Sequence, residues 1–150
     1  MSESIVELYN ILIRVYESEL DRRIKMNQFY FTISASVTVA TSFVLLNKKA
    51  IMDAGIASIL LNRILFMFAF MVLVINVSWM SYIRAHSKLQ EAQFEVMKII
   101  EKELPYPLFT TMTELYAGKV GMLNRTFSER LIPLSFLFFG LTLLAQVLTN

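Results

Sequence analysis

The sequence predicts an all-α integral membrane protein: three transmembrane helices, a cytoplasmic amphipathic helix at the N-terminus, and a helical cytoplasmic extension between the second and third spans. Three observations predict it. The stretches 29–46, 64–83 and 131–148 contain no charged residue, in a chain whose other segments are rich in charge. Each is about 18 to 20 residues long, which at 1.5 Å rise per residue approaches the ~30 Å hydrocarbon core. Finally, only helices and closed barrels satisfy their backbone groups in lipid, and the second and third runs have no strand-like alternation.

Composition agrees with this class. The chain is 56% hydrophobic with a mean hydropathy of +0.56, above soluble usage, and 150 residues suit a single membrane domain, 1–150. A net charge of +2, mixed in sign, does not argue for nucleic acid. Without cysteine there is no disulfide framework, thiol nucleophile or thiolate metal site. The chain opens Ser2, Glu3, Ser4 and reaches an apolar run only at Phe29, unlike a signal peptide, so cleavage is not expected.

The orientation follows from basic residues. Lys and Arg divide as 4 before the first span, 3 in the first loop and 7 in the second, which places the N-terminus and the second loop in the cytoplasm and the C-terminus outside. The residues from Ser4 to Lys25 read as an amphipathic helix. Ile5, Leu8, Tyr9, Leu12, Val15 and Tyr16 recur opposite Glu7, Arg14 and Glu17, and Ser4 with Glu7 suits a capping box. Its apolar face can serve a neighbouring subunit, the membrane surface or the protein's own second loop.

Hydroxyls mark the first span. At 100° per residue Ser34, Thr38 and Thr41 share a face, with Ser42 at its margin, while Thr32 and Ser36 form a second, smaller patch. Such a face either packs closely on another helix or lines water. The first loop, 47–63, contains Ala54-Gly55-Ile56-Ala57-Ser58-Ile59-Leu60-Leu61 and suggests a short external interfacial helix. The second span ends in Trp79 and Tyr82 before Arg84, an aromatic and basic set suited to anchoring at the cytoplasmic interface. Asn76 lies about 12 Å inward of Arg84, where an unsatisfied amide is costly, so a polar partner across a helix interface is expected.

Between Ile64 and Glu103 no proline or glycine intervenes, which predicts one helix continuing from the span into the cytoplasmic region 84–130. There Leu89, Phe94, Met97, Ile100 and Leu104 form an apolar stripe, broadened by Val96 and Ile99 and suited to an oligomer interface. Lys88, Glu91, Glu95, Lys98 and Glu101 supply a solvated surface. Leu104-Pro105-Tyr106-Pro107 stops the helix. Thr111 with Glu114 caps a short helix toward Gly118, and Thr126 with Glu129 caps the last one, with Pro133 early in it.

Catalytic chemistry finds little support. His86 is the only histidine and reads as an interfacial residue, the four glycines are dispersed, and no cluster has metal-ligand spacing; no catalytic residue, cofactor or metal is assigned. The spans carry no charge, which argues against a proton relay or coupled transporter.

The run Asp21-Arg22-Arg23-Ile24-Lys25-Met26-Asn27-Gln28-Phe29, the Trp79 segment followed by Leu89, Phe94 and Val96, then Ile100-Glu101 and Leu104-Pro105 resemble the small bacterial membrane proteins of the RipA family. Glu114, Glu129 and Pro133 continue the resemblance over most of the chain. It implies a ring-forming homo-oligomer, octameric by the family's description, in the bacterial cytoplasmic membrane, and it supplies no biochemical activity. Two functional classes follow. One is a self-associating membrane scaffold or pore in the lipid bilayer, a stress or phage-defence effector being its special case. The other is an adaptor that recruits a cytoplasmic protein partner through its helices.

Overall fold

The computed structural model describes residues 3–55, 57–104, 106, 107, 110, 111, 114 and 122–149, with side chains at the same positions except 3, 4 and 122–128. The described residues form helices α1 (Glu3–Leu46), α2 (Lys48–Asp53), α3 (Ser58–Glu101) and α4 (Met122–Thr149), and none is in a strand. Three of these helices are long and apolar enough to cross a membrane. The all-α architecture is therefore the predicted one.

The amphipathic segment and the first span are one 44-residue helix. The reason is visible in the sequence: neither glycine nor proline occurs before Gly55, so nothing interrupts the hydrogen-bond ladder. Asn47 ends α1, its backbone and side-chain amides both donating to the carbonyl of Phe43, at 3.1 and 2.8 Å. The first-loop helix is α2, which precedes rather than contains Ala54–Leu61. Gly55 stops it at φ 93°, a left-handed conformation that costs glycine little, and Ser58 to Leu61 already belong to α3.

α3 runs unbroken as expected and ends in tightened turns, Glu103 N to Ile100 O and Leu104 N to Glu101 O. α4 begins at Met122, so Thr126 stands inside the helix and cannot cap it; Ser4 likewise falls within the first turn of α1, and both side chains lie outside those described. Thr111 does not cap either. Its hydroxyl donates to the carbonyl of Pro107 at 2.7 Å, and Gly118 lies outside the described residues.

Packing divides the chain into two units: Met1–Met26 with Tyr82–Glu129, and Asn27–Ser81 with Arg130–Asn150. In the second unit the inward line of α3 is Leu61, Leu65, Ala69, Val72, Asn76 and Trp79, spaced by three or four residues so that one stripe faces the other helices. α1 contributes Ser34 and Thr41 to this core, and α4 contributes Pro133, Gly140 and Leu143. Gly140 permits close approach: a Cβ there would lie 3.0 Å from Val72 Cγ1 and 3.1 Å from Leu73 Cδ2. In the first unit α3 continues inward through Ile83, His86, Met97 and Glu101.

Candidate functional site

Within the second unit the predicted hydroxyl face is a helix contact. Ser34, Thr41 and Asn76 are fully buried. Ser34 Oγ donates to Asn76 Oδ1 at 3.3 Å, and Asn76 Nδ2 donates to the carbonyl of Val72 at 2.8 Å. The amide thus has the cross-helix partner its depth requires. Thr41 returns its hydroxyl to the carbonyl of Val37 at 2.6 Å, while the buried Thr38 hydroxyl has no hydrogen-bond partner among the described residues. Fully enclosed side chains leave no space for a lumen at Ser34, Thr41 or Asn76, which corrects the water-lining alternative for those three. The smaller patch differs: Thr32 and Ser36 are exposed, and Thr32 satisfies its hydroxyl on the carbonyl of Gln28.

Trp79 departs from the interface-anchor expectation. It is 2% exposed, stacks on Tyr30 at 5.9 Å and donates Nε1–H to Asn27 Oδ1 at 2.9 Å, so its ring and polar edge are both engaged inside the bundle. Tyr82 packs on the His86 ring at 4.3 Å, and Arg84 is exposed.

The first unit is organised by buried charge. Arg23, 6% exposed, donates to Gln90 Oε1 and to Glu129 Oε2, the second contact being an ion pair. His86 sits beside Glu19 with Nδ1 3.7 Å from Oε2. Burial pushes the His86 imidazole below its ordinary value; Glu19 opposes the shift, and Arg22 and Arg23 reinforce it. Glu101 is the second polar centre. Its carboxylate accepts from Tyr9 Oη at 2.8 Å, from Thr110 N at 2.9 Å and from Thr110 Oγ1 at 2.5 Å. These three bonds satisfy a carboxylate that is 2% exposed.

Several expectations change here. Glu101 belongs to the interior rather than to the solvated surface, as its place one turn beyond buried Met97 allows. The stripe proposed for the oligomer interface is divided: Met97 is fully buried and Phe94 packs on Tyr16 at 5.5 Å, both within the unit, while Ile100 and Leu104 are half-buried and Leu89 is exposed. The N-terminal helix meets this region through Tyr16 on Phe94 and Tyr9 on Glu101. Its own inward face is Ile5, Tyr9, Leu12 and Tyr16, whereas Leu8 and Val15 are exposed. Arg23, Gln90 and Glu129 were not legible as a set, because their pairing depends on which helix faces which. Glu129, read as a capping residue, is bonded to Arg23 instead.

Among the described residues no three histidine, aspartate or glutamate side chains converge as a metal set. The polar contacts found pair helices, through charged groups in one unit and neutral ones in the other.

Comparison with curated proteins finds no match, and comparison with solved structures finds none either. A family model does match, over residues 6–149, and it is that of the octameric membrane protein family. The eightfold assembly implied by the RipA resemblance agrees with that description, although the RipA name is not part of the match. Its match covers nearly the whole chain, helices α1 to α4 included, and the chain belongs to the octameric membrane protein family (8xMP).

Proposed function

We propose that the chain is the repeating unit of a homo-oligomeric scaffold in a bacterial cytoplasmic membrane. The spans 29–46, 64–83 and 131–148 cross the bilayer, the N-terminus and residues 84–130 lie in the cytoplasm, and the C-terminus lies outside, as the distribution of basic residues favours. One observation carries the reading. Only 11%, 22% and 17% of the apolar windows of the three span helices is buried within the protomer, while their deep polar groups Ser34, Thr41 and Asn76 are all paired inside it. What the bundle leaves uncovered is largely apolar surface for lipid and for further copies.

Native mass spectrometry of the detergent-solubilised protein tests the assembly: a dominant octamer is expected, and a monomer at all detergent concentrations would refute it. Cysteine placed at Lys49 should react with a membrane-impermeant maleimide in intact cells, and one at Lys88 only after permeabilisation. The reverse pattern would overturn the orientation.

A pore is the second reading, favoured by the exposure of Thr32 and Ser36 on α1. Uncharged hydroxyls around a central axis would pass ions with poor selectivity, and a stress or phage-defence effector that permeabilises the membrane is its narrower form. Liposomes holding the octamer should stay tight to small ions if the scaffold reading is right, and ion flux reduced by Ser36→Leu would favour the pore. The adaptor alternative draws on Leu89, Val96 and Ile99, which are exposed on α3 and available to a cytoplasmic protein partner.

A further inference from the structure

We propose that adjacent copies in the octamer join through a groove in the second unit, between α1 and α3, and that the groove receives the outer face of α4 from the next copy. The inference rests on the homo-oligomeric reading above and assigns its membrane interface.

The groove is open along one side and has a volume of about 740 Å³. Its floor is made by the small residues Ala35, Ser36 and Ala40, and its walls by Val39, Phe43 and Phe68. Val39 is 69% exposed and Phe43 65%, so the protomer itself leaves these walls uncovered. In lipid no hydrophobic gain draws helices together, and contact instead depends on dense packing, which small side chains permit by letting a neighbouring side chain sink toward the backbone. A concave, small-floored surface therefore suits a bulky ridge.

The ridge is supplied by α4. Leu134, Phe138, Leu141 and Leu148 lie along its exposed side, with Phe138 70% exposed. α4 packs on both other long helices of the unit, on α1 through Phe31 and Phe136 at 6.2 Å and on α3 through Gly140 against Val72 and Leu73. α1 in turn meets α3 through Ser34 and Asn76. Three mutually packed helices form a triangle, and the outer surface between two of them lies across the bundle from the third. The groove and the α4 ridge are therefore on opposite sides of one copy, the arrangement that a head-to-tail ring requires.

Their depths also agree. Phe31 stands level with Phe136, and Leu45 shares a small cavity with Gln146 and Val147, so α1 and α4 run in the same direction. Interpolating between these two contacts puts Ser36 level with the stretch from Leu137 to Leu141. Copies inserted with one topology are related by an axis along the bilayer normal, and rotation about that axis keeps every residue at its depth. Phe138 and Leu141 of one copy consequently arrive at the groove floor of the next. A face used twice by a two-fold pair would make a closed dimer, whereas two different faces continue around a ring.

The chain has no cysteine, so disulfide trapping has no background. Two chains with tags of different size would be co-expressed, one carrying Ser36→Cys and the other Phe138→Cys, and membranes treated with a mild oxidant. The expected product is a mixed-size dimer that either variant alone fails to give. An octamer in native mass spectrometry that yields no mixed dimer would overturn the interface while leaving the assembly intact. If Ser36→Cys instead traps Phe70→Cys, the donor helix is α3 and the proposal is wrong in its occupant. Loss of the octamer under every solubilising condition would remove the homo-oligomeric reading itself. As a second measure, Phe138→Ala changes an exposed side chain and should lower the octamer fraction several-fold with the monomer still helical. An unchanged octamer fraction for Phe138→Ala would count against α4 as the donor.

Discussion

The two units bury polar groups by different chemistry. In the first, the buried groups include charges: Arg23 paired to Glu129, and Glu101 with three donors. In the second, the buried polar side chains are neutral, Ser34, Thr41 and Asn76, and two of the three bond to carbonyls of their own helix. The difference follows from the cost of the alternative. A charge near the bilayer centre costs about 2.5–3.5 kcal/mol or more, whereas a hydroxyl can turn back on its own backbone, as Thr41 does. The kind of polar group a helix buries thus reports the medium around it, independently of how apolar its surface is.

Breaking the charged set should have the largest effect. Arg23→Met leaves Glu129 without its guanidinium and Gln90 without its donor, and should cost about 3–5 kcal/mol in denaturant unfolding of the solubilised protein. Adding Glu129→Gln should recover much of that loss. A single-variant loss under about 1 kcal/mol would erase the contrast between the units.

Steric change in the second unit comes next. Gly140→Val should destabilise by about 1–3 kcal/mol, because its branches press on Val72 and Leu73. Asn76→Leu should cost about 1 kcal/mol, since Ser34 can exchange its bond for an i−4 carbonyl. A loss at Asn76 as large as that at Arg23 would mean that neutral pairing in the spans is as demanding as ion pairing outside them.

The smallest effect concerns protons. The His86 imidazole is held below its ordinary value, so the unfolded chain binds more protons than the folded one in the window below about pH 6.5. Stability should be fully present above that pH and decline as the pH falls toward the folded value. Glu19, Arg22, Arg23 and Tyr82 are the groups around the ring. Comparing the pH dependence of thermal unfolding for the native chain and for His86→Gln checks this, with a flatter acid limb expected for the variant.

Much of the fold was legible because its determinants are local. Uncharged runs of bilayer length mark the spans and the absence of proline and glycine predicts the unbroken α3, whereas Gly55, read as part of a first-loop helix, instead ends α2 in a left-handed conformation. The same absence extends α1 back to Glu3, a consequence of residues that read separately as an amphipathic helix and a span. Part of the polar pairing was legible too: the depth of Asn76 demanded a partner, and Ser34 was on the hydroxyl face of the adjacent span. Trp79 was not. Position at the end of an apolar run is shared by lipid-facing anchors and by rings turned inward, and only the rotation of α3 separates them.

The sequence by itself determined that the chain is helical, that three helices can cross a bilayer and which residues interrupt them, because backbone satisfaction in lipid and helix propensity act over a few turns. Tertiary structure alone decided which face of each helix turns inward. It divided the stripe from Leu89 to Leu104, burying Met97 and leaving Leu89 exposed, and it brought Arg23, Gln90 and Glu129 together from three distant segments. Periodicity defines a face but not what meets it. The choice of partner depends on how whole helices rotate and slide against one another, and that is settled by packing across the bundle.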